Sequence, residues 1–311
     1  MDENSSCREK FTETLLELAK ENKDIYVVTS DARGSCSLGN FVKELPDQFI
    51  EVGIAEQDEI GIAAGLASVG KRPYVCAPAC FLTARSLEQV KVDVAYSHQN
   101  VKIFGVSGGI SYGALGASHH TLHDIAVLRA IPDIMIFLPS DGNQTAAMLK
   151  AVEKTDCAAY IRAGRAGVPK IYPDNAPFQI GKANTLREGN DITIIAAGEP
   201  VWHALTAADQ LSQQGISARV VDMHTLRPFD EETVMKAAKE TGMILTVEEH
   251  SVNGGLGAAV AQTVCESYPV KVHCLGLPDE YLVAGNSSEL FQHYGLDAEG
   301  IFHSVMRMMG R

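Results

Sequence analysis

The chain has no block of basic residues, no apolar run of membrane-spanning length and no cysteine spacing that suggests a disulfide framework. Lys and Arg number 26 against 39 Asp and Glu, a net charge of −13, so nucleic acid is not an expected partner. A membrane helix needs about 20 consecutive apolar residues, and no stretch supplies them, so no membrane association is expected. The first residues, Met1-Asp2-Glu3-Asn4-Ser5-Ser6, are polar and acidic, unlike the basic and then apolar opening of a secretory leader. The 7 cysteines are odd in number and scattered, several in apolar segments, which suits reduced thiols in a cytoplasmic protein. Cys76 and Cys80 flank Pro78, but no two further ligands stand at suitable spacing, so no metal site is expected here. Repeats of solenoid length and low-complexity tracts are also missing, which excludes array architectures.

What is present is an alternation of short β-rich runs with helical patterns. At 311 residues the chain can form two domains with substantial cores. Apolar positions at Phe11, Leu15, Leu18 and Ala19 give residues 8–21 a helical period. Strands are expected at residues 25–29, 73–76, 101–106, 134–138 and 158–161, and helices at 60–69, 86–97, 122–129 and 143–154. Pro169, Pro173 and Pro177 then punctuate a polar stretch, which reads as a linker. A second series follows, with strands at 192–197, 218–221, 244–247 and 270–273 and a helix at 201–213. Such alternation predicts an α/β fold of two doubly wound, mostly parallel-sheet domains, spanning 1–168 and 191–311 with a linker at 169–190. Gly254-Gly255-Leu256-Gly257 opens another helix, and close helix packing explains these glycines better than an anion site does.

Four segments carry candidate chemistry. In Val52-Gly53-Ile54-Ala55-Glu56-Gln57-Asp58-Glu59 an extended stretch runs through a glycine into an acidic turn and a small-faced helix. Such a turn can simply complement the helix dipole. A carboxyl set there among apolar groups and other acids also tends to hold its proton, which suits sharing one with a ligand nitrogen. Asp31 and Ser35 follow the first strand, where α/β folds place ligands, although an Asx turn or helix cap is an equal reading of Asp31. Phe81 and Arg85 stand at the next strand-to-helix edge, where a ring can stack on a flat heterocycle or serve as core. His119, His120 and His123 cluster ahead of Asp124. His119 and His123, four apart, would share a helix face, but no third zinc ligand has motif spacing.

Together these segments resemble the transketolase-like thiamine diphosphate enzymes, from about Arg8 to Met306. The run from Gly116 through Ser118, His119, Asp124 and Arg129 to Pro132 is similar to transketolase in particular. The resemblance covers only the second half of an ordinary transketolase, so it implies the C-terminal subunit of a split enzyme. It assigns Glu56 to the N1′ nitrogen of the cofactor's aminopyrimidine ring, Phe81 to its face, and Asp31 and Arg85 to its surroundings. It sets His119, with His120, at the substrate, and gives Arg8, Ser35, Ser107 and Arg162 to a substrate anion. Asp222 and Arg227 match residues of the C-terminal domain taken as structural.

Two positions depart from the family pattern: Ser107 stands for a histidine of the phosphate group and Leu115 for an aspartate near a sugar hydroxyl. The diphosphate and metal motif is missing altogether. The resemblance therefore implies an N-terminal partner subunit that supplies the ligands for Mg2+ or Ca2+, in an α2β2 assembly. The beta subunit of a 2-oxo acid dehydrogenase, a deoxyxylulose-phosphate-synthase-like half and a non-catalytic assembly subunit are the alternatives.

Overall fold

Two parallel sheets organise residues 4–311, which the computed structural model describes. In the first, six parallel strands run in the order Phe49–Glu51, Ile25–Thr29, Arg72–Pro78, Lys102–Val106, Ala158–Ala163 and Ile134–Phe137. The central strands are almost wholly buried, as expected when helices cover both faces of a parallel sheet. Helix Cys7–Glu21 packs beside helix Gly142–Val152. The side chains of Ser6 and Asp141 cap these two helices. Phe11 stacks on Phe104 with ring centroids 3.7 Å apart, which fixes the first helix against the sheet.

The second sheet has the order Lys271–Leu277, Met243–Ser251, Ile192–Ala196, Ala218–Asp222 and Asn184–Arg187, with only the last strand antiparallel. The α/β class with two mostly parallel sheets is thus what the alternation implied. One detail differs: residues 184–187, read as linker, form an edge strand. The glycines at 254, 255 and 257 have a definite job. The backbone N–H groups of Leu256 and Gly257 each donate to the Glu248 carboxylate at 2.7 Å, and a Cβ on Gly255 would lie 1.9 Å from that group. The helix N-terminus thus faces a carboxyl of the chain's own, and its two donors offset part of the rise, to about 7, that burial gives Glu248.

The two domains are sewn together. Strand Thr225–Arg227, reached after the second sheet has begun, adds antiparallel to the far edge of the first. Buried Asp222 accepts hydrogen bonds from Ser140 (3.0 Å), Gln144 (2.8 Å) and Tyr172 (2.6 Å). Arg227 donates to the backbone carbonyls of Arg129 and Ile131.

In the first sheet the chain steps from Ile25–Thr29 outward to Phe49–Glu51, then crosses back to Arg72–Pro78 on the other side. A crevice opens at the carboxyl ends of strands where the winding reverses, and ligands of α/β folds lie there.

Candidate active site

Residues at that crevice are held in unusual backbone shapes. Asp31 has a φ of 51°, and its N–H donates to Glu51 Oε1 at 2.8 Å. The same oxygen accepts the Gly53 N–H at 3.0 Å, so one carboxylate ties the exits of two neighbouring strands. Gly53, at φ 73°, makes a turn that only glycine enters cheaply. Three residues later Glu56 begins helix Glu56–Ser68.

Glu56 is 5% exposed and faces an open cavity of about 730 Å³ lined by residues 54–58 with Arg85 and Gln89. Beside the apolar groups and acids expected there stands a cation: Arg85 Nη1 donates to Glu56 Oε1 at 2.7 Å. The Arg85 guanidinium also lies 3.9 Å from the centroid of the Phe81 ring, a cation–π contact. His119 meets Phe81 edge-on at 5.2 Å and Tyr112 at 5.5 Å between centroids. The Arg165 guanidinium covers the Tyr112 ring at 4.6 Å. Glu56, Arg85, Phe81, His119, Tyr112 and Arg165 thus form one continuous row, acid at one end and exposed cation at the other.

Other predicted site residues lie elsewhere. Arg8 donates to the Ser35 carbonyl at 3.1 Å, so those two are paired with each other. His120 is buried and its Nε2 donates to the Gly113 carbonyl at 3.1 Å. Ser107 is fully buried at φ 62°, and its N–H donates to the Ala163 carbonyl at 2.8 Å. Leu115 is exposed on the loop that precedes His119. The helix face expected for His119 and His123 does not form, because the helix starts only at Asp124 and Gly116, at φ 72°, breaks the turn before His119.

Arg162 is the sharpest departure. It is 6% exposed, and its Nε donates to Asp124 Oδ2 at 2.9 Å and its Nη2 to the Glu249 carbonyl at 2.6 Å. The guanidinium is enclosed between two domains and spent on internal partners, whereas Arg165 stays exposed beside the histidine. The sequence does carry a signal for Arg165: it stands three residues beyond Arg162, just past the strand's carboxyl end. Glu59 is a further residue that the sequence reading missed. It is fully buried one turn after Glu56, and burial pushes its carboxyl up to about 8. The Ser30 hydroxyl and the Cys76 backbone lie near it and offset part of that shift, but neither reaches it in full hydrogen-bond geometry. Among the described residues, no three His, Cys, Asp or Glu side chains gather as a metal site. No helix among them is long and apolar enough to cross a membrane.

Fold and site define an α/β half-enzyme, with a buried acid and an aromatic ring at the switch crevice. The family model described as "Transketolase, pyrimidine binding domain" matches residues 3–170, and that described as "Transketolase, C-terminal domain" matches 181–301. The chain belongs to the transketolase family, as the subunit that supplies these two domains of a split enzyme. It is 58% identical to an apulose-4-phosphate transketolase subunit of Phocaeicola vulgatus, over 98% of this chain and 97% of that one. It is 37% identical to a 6-deoxy-6-sulfo-D-fructose transketolase subunit of Clostridium sp. (strain MSTE9), over 98% and 94% of the two chains. A solved structure described as "Split gene transketolase, inactive beta4 tetramer" superposes with a TM-score of 0.88 at 38% identity, covering 98% of each chain. The dehydrogenase, synthase and assembly-subunit alternatives are not favoured.

The Glu59 shift has a measurable consequence. A carboxyl raised in the folded state keeps its proton there while the unfolded chain has lost it, so stability falls as pH rises from about 4.5 to about 8. The slope is at most about 1.4 kcal/mol per pH unit. Thermal unfolding of Glu59→Gln should lose this decline, giving a flatter profile between pH 5 and 8 than the unsubstituted chain. Parallel profiles would show that Glu59 does not titrate in that window.

Proposed function

We propose that this chain, joined to an N-terminal subunit carrying the diphosphate and metal site, transfers a two-carbon ketol unit from a ketose to an aldose with thiamine diphosphate. The observation that carries the reading is the row from Glu56 through Phe81 to His119 at the switch crevice. Its residues fit an aminopyrimidine: a buried carboxylate opens onto a cavity, and an aromatic face and a guanidinium stand beside it. Glu56 would hold the ring nitrogen's proton, Phe81 would pack on the ring, and Arg85 and Asp31 would flank it. When bound, the cofactor supplies the carbon nucleophile that carries the ketol unit. His119, oriented by Phe81, Tyr112 and the Ser118 hydroxyl 2.9 Å away, would bond a substrate oxygen or move its proton.

The partner subunit would provide the ligands for Mg2+ or Ca2+, and an α2β2 assembly in the cytoplasm is the matching arrangement. The relative described as an inactive β4 tetramer supports dependence on a partner. The substrate is read as a sugar with a terminal anion, a phosphosugar such as apulose 4-phosphate in the first instance, in keeping with the relative at 58% identity. Arg165, exposed over Tyr112, is the cation best placed for that anion; Arg8 and Ser35, paired with each other, and His120, Ser107 and Arg162, each engaged inside the fold, are the other residues the resemblance gives to the substrate. Leu115 and Ser107, in place of an aspartate and a histidine, suit a substrate other than the common linear pentose phosphates.

Three substitutions test this reading in the assembled enzyme. Glu56→Gln should slow exchange of the cofactor's thiazolium proton by about 10²–10⁴-fold, with unfolding unchanged. Exchange at the unsubstituted rate would reduce Glu56 to a helix-end charge. Arg165→Ala should raise KM for the anionic sugar about 10–100-fold, the worth of a hydrogen bond to a charged group, and leave an uncharged analogue unaffected. Arg162→Ala should instead lower the unfolding midpoint, because it strands buried carboxylates, a loss of about 3–5 kcal/mol. The reverse pattern would return the anion contact to Arg162.

A further inference from the structure

Between strand Lys102–Val106 and helix Asp124–Arg129 runs the loop that carries Tyr112 and His119. It has little regular structure of its own. Ser107 and Gly109 have φ values of 62° and 59°, and its one short turn, Gly113–Ser118, is interrupted at Gly116. A non-glycine residue in the left-handed region costs about 1–3 kcal/mol and persists only where its surroundings hold it. The surroundings come from both domains: the Ser107 N–H donates to the Ala163 carbonyl and Gly109 pairs with Thr121 within the first, and the second domain adds three ties. The Ile110 N–H donates to Glu249 Oε1 at 2.7 Å. The Ser251 N–H donates to the Leu122 carbonyl at 3.1 Å, and the Gly285 N–H to the Gly113 carbonyl at 3.2 Å. The start, middle and end of the loop are each tied across the seam.

Among these ties the Glu249 carboxylate is the one made by a side chain. Its second oxygen lies 3.9 Å from Arg162 Nη1, and Arg162 holds Asp124, where the loop ends. Its fit to the loop is tight: a Cβ on Gly109 would sit 2.4 Å from the Glu249 carboxyl carbon. A glycine is required at 109 both for its φ and for this approach.

We propose that Glu249 is a positioning residue for the transfer reaction. By accepting the Ile110 N–H it fixes the loop shape that sets His119 against Phe81, so the C-terminal domain takes part in the chemistry without touching substrate or cofactor. This rests on the reading of His119 given above.

The test uses the assembled two-subunit enzyme with Glu249→Ala, Glu249→Gln, His119→Ala and the Glu249→Ala/His119→Ala pair. Glu249→Ala should lower kcat about 10–100-fold, the scale of misplacing a positioned group, with the apparent affinity for thiamine diphosphate unchanged. Gln, whose amide oxygen can take the Ile110 N–H, should restore most of the rate. In the His119→Ala background Glu249→Ala should cost little more, because the two act through one contact. Amide hydrogen exchange in the isolated chain should speed over residues 107–123 in the Ala variant and return in Gln. If Glu249→Ala fails to assemble, Gly109→Ala presses on the same contact from the loop side and should give the same kinetic and exchange pattern. An unchanged kcat, equal losses in both backgrounds, or unchanged exchange overturns the proposal. Unsubstituted turnover by His119→Ala removes the His119 reading and this proposal together. A slow His119→Ala beside a fast Glu249→Ala removes this proposal alone.

Discussion

The guanidinium of Arg162 lies buried in the seam between the two domains, and the loop that carries His119 ends at the carboxylate that meets its charge. Taking an arginine out of water costs several kcal/mol unless its hydrogen bonds are nearly all satisfied. Asp124 and the Glu249 carbonyl supply that satisfaction. Tyr160 adds its hydroxyl to the same Asp124 oxygen at 2.7 Å. Burial pushes the Glu249 and Glu199 carboxyls up and holds the His250 imidazole down at about 4. The Arg162 guanidinium joins strand Ala158–Ala163, the end of the histidine loop and the second domain's sheet.

Function follows from that rigidity. The crevice is made by strand ends, which are stiff, but His119 rides on a loop whose own structure is one short helical turn and the Gly109–Thr121 bridge. A reacting group on a loop needs support from outside it. Part of that support is interdomain, through Ile110, Gly113 and Leu122, beside the first domain's own bonds to Ala163 and across Gly109 and Thr121. The fastening is chemically varied: an added edge strand, the buried Asp222 with three donors, and Arg227 on two carbonyls. No single contact carries it.

The fold is largely legible in the sequence because its central strands are short, apolar and bounded by turn residues, as in 25–29 and 192–196. What is not legible lies at the edges. Strands Asn184–Arg187 and Thr225–Arg227 are short, antiparallel and rich in polar residues, so nothing in their periodicity separates them from a linker. Helices Glu231–Thr241 and Ala298–Met308 carry apolar stripes, Val234, Ala237 and Ala238 in one and Ile301, Val305 and Met308 in the other, that a sequence argument can reach, whereas Ser287–His293 is too short to show a period. The site is legible in its identities and less so in its partners. Ending the strand at Ile161 leaves Arg162 outside the sheet and free for an anion; the strand runs on to Ala163, which buries Arg162 and leaves Arg165 at the rim. Two residues of strand length separate a buried arginine from an exposed one. His120 departs from expectation for a similar reason, since sequence cannot say which of two adjacent imidazoles turns inward. Glu59 is within reach of a sequence argument, because its spacing of three from Glu56 puts both on one helix face.

On the proposed function, this chain contributes the acid and aromatic side of a site whose diphosphate and metal side belongs to another subunit. Titrating the purified chain with that partner, in the presence of thiamine diphosphate and a divalent metal, measures the claim directly. Ketol transfer should be absent from either subunit alone and should rise to a plateau at equimolar mixing. Full turnover by this chain without the partner would contradict it.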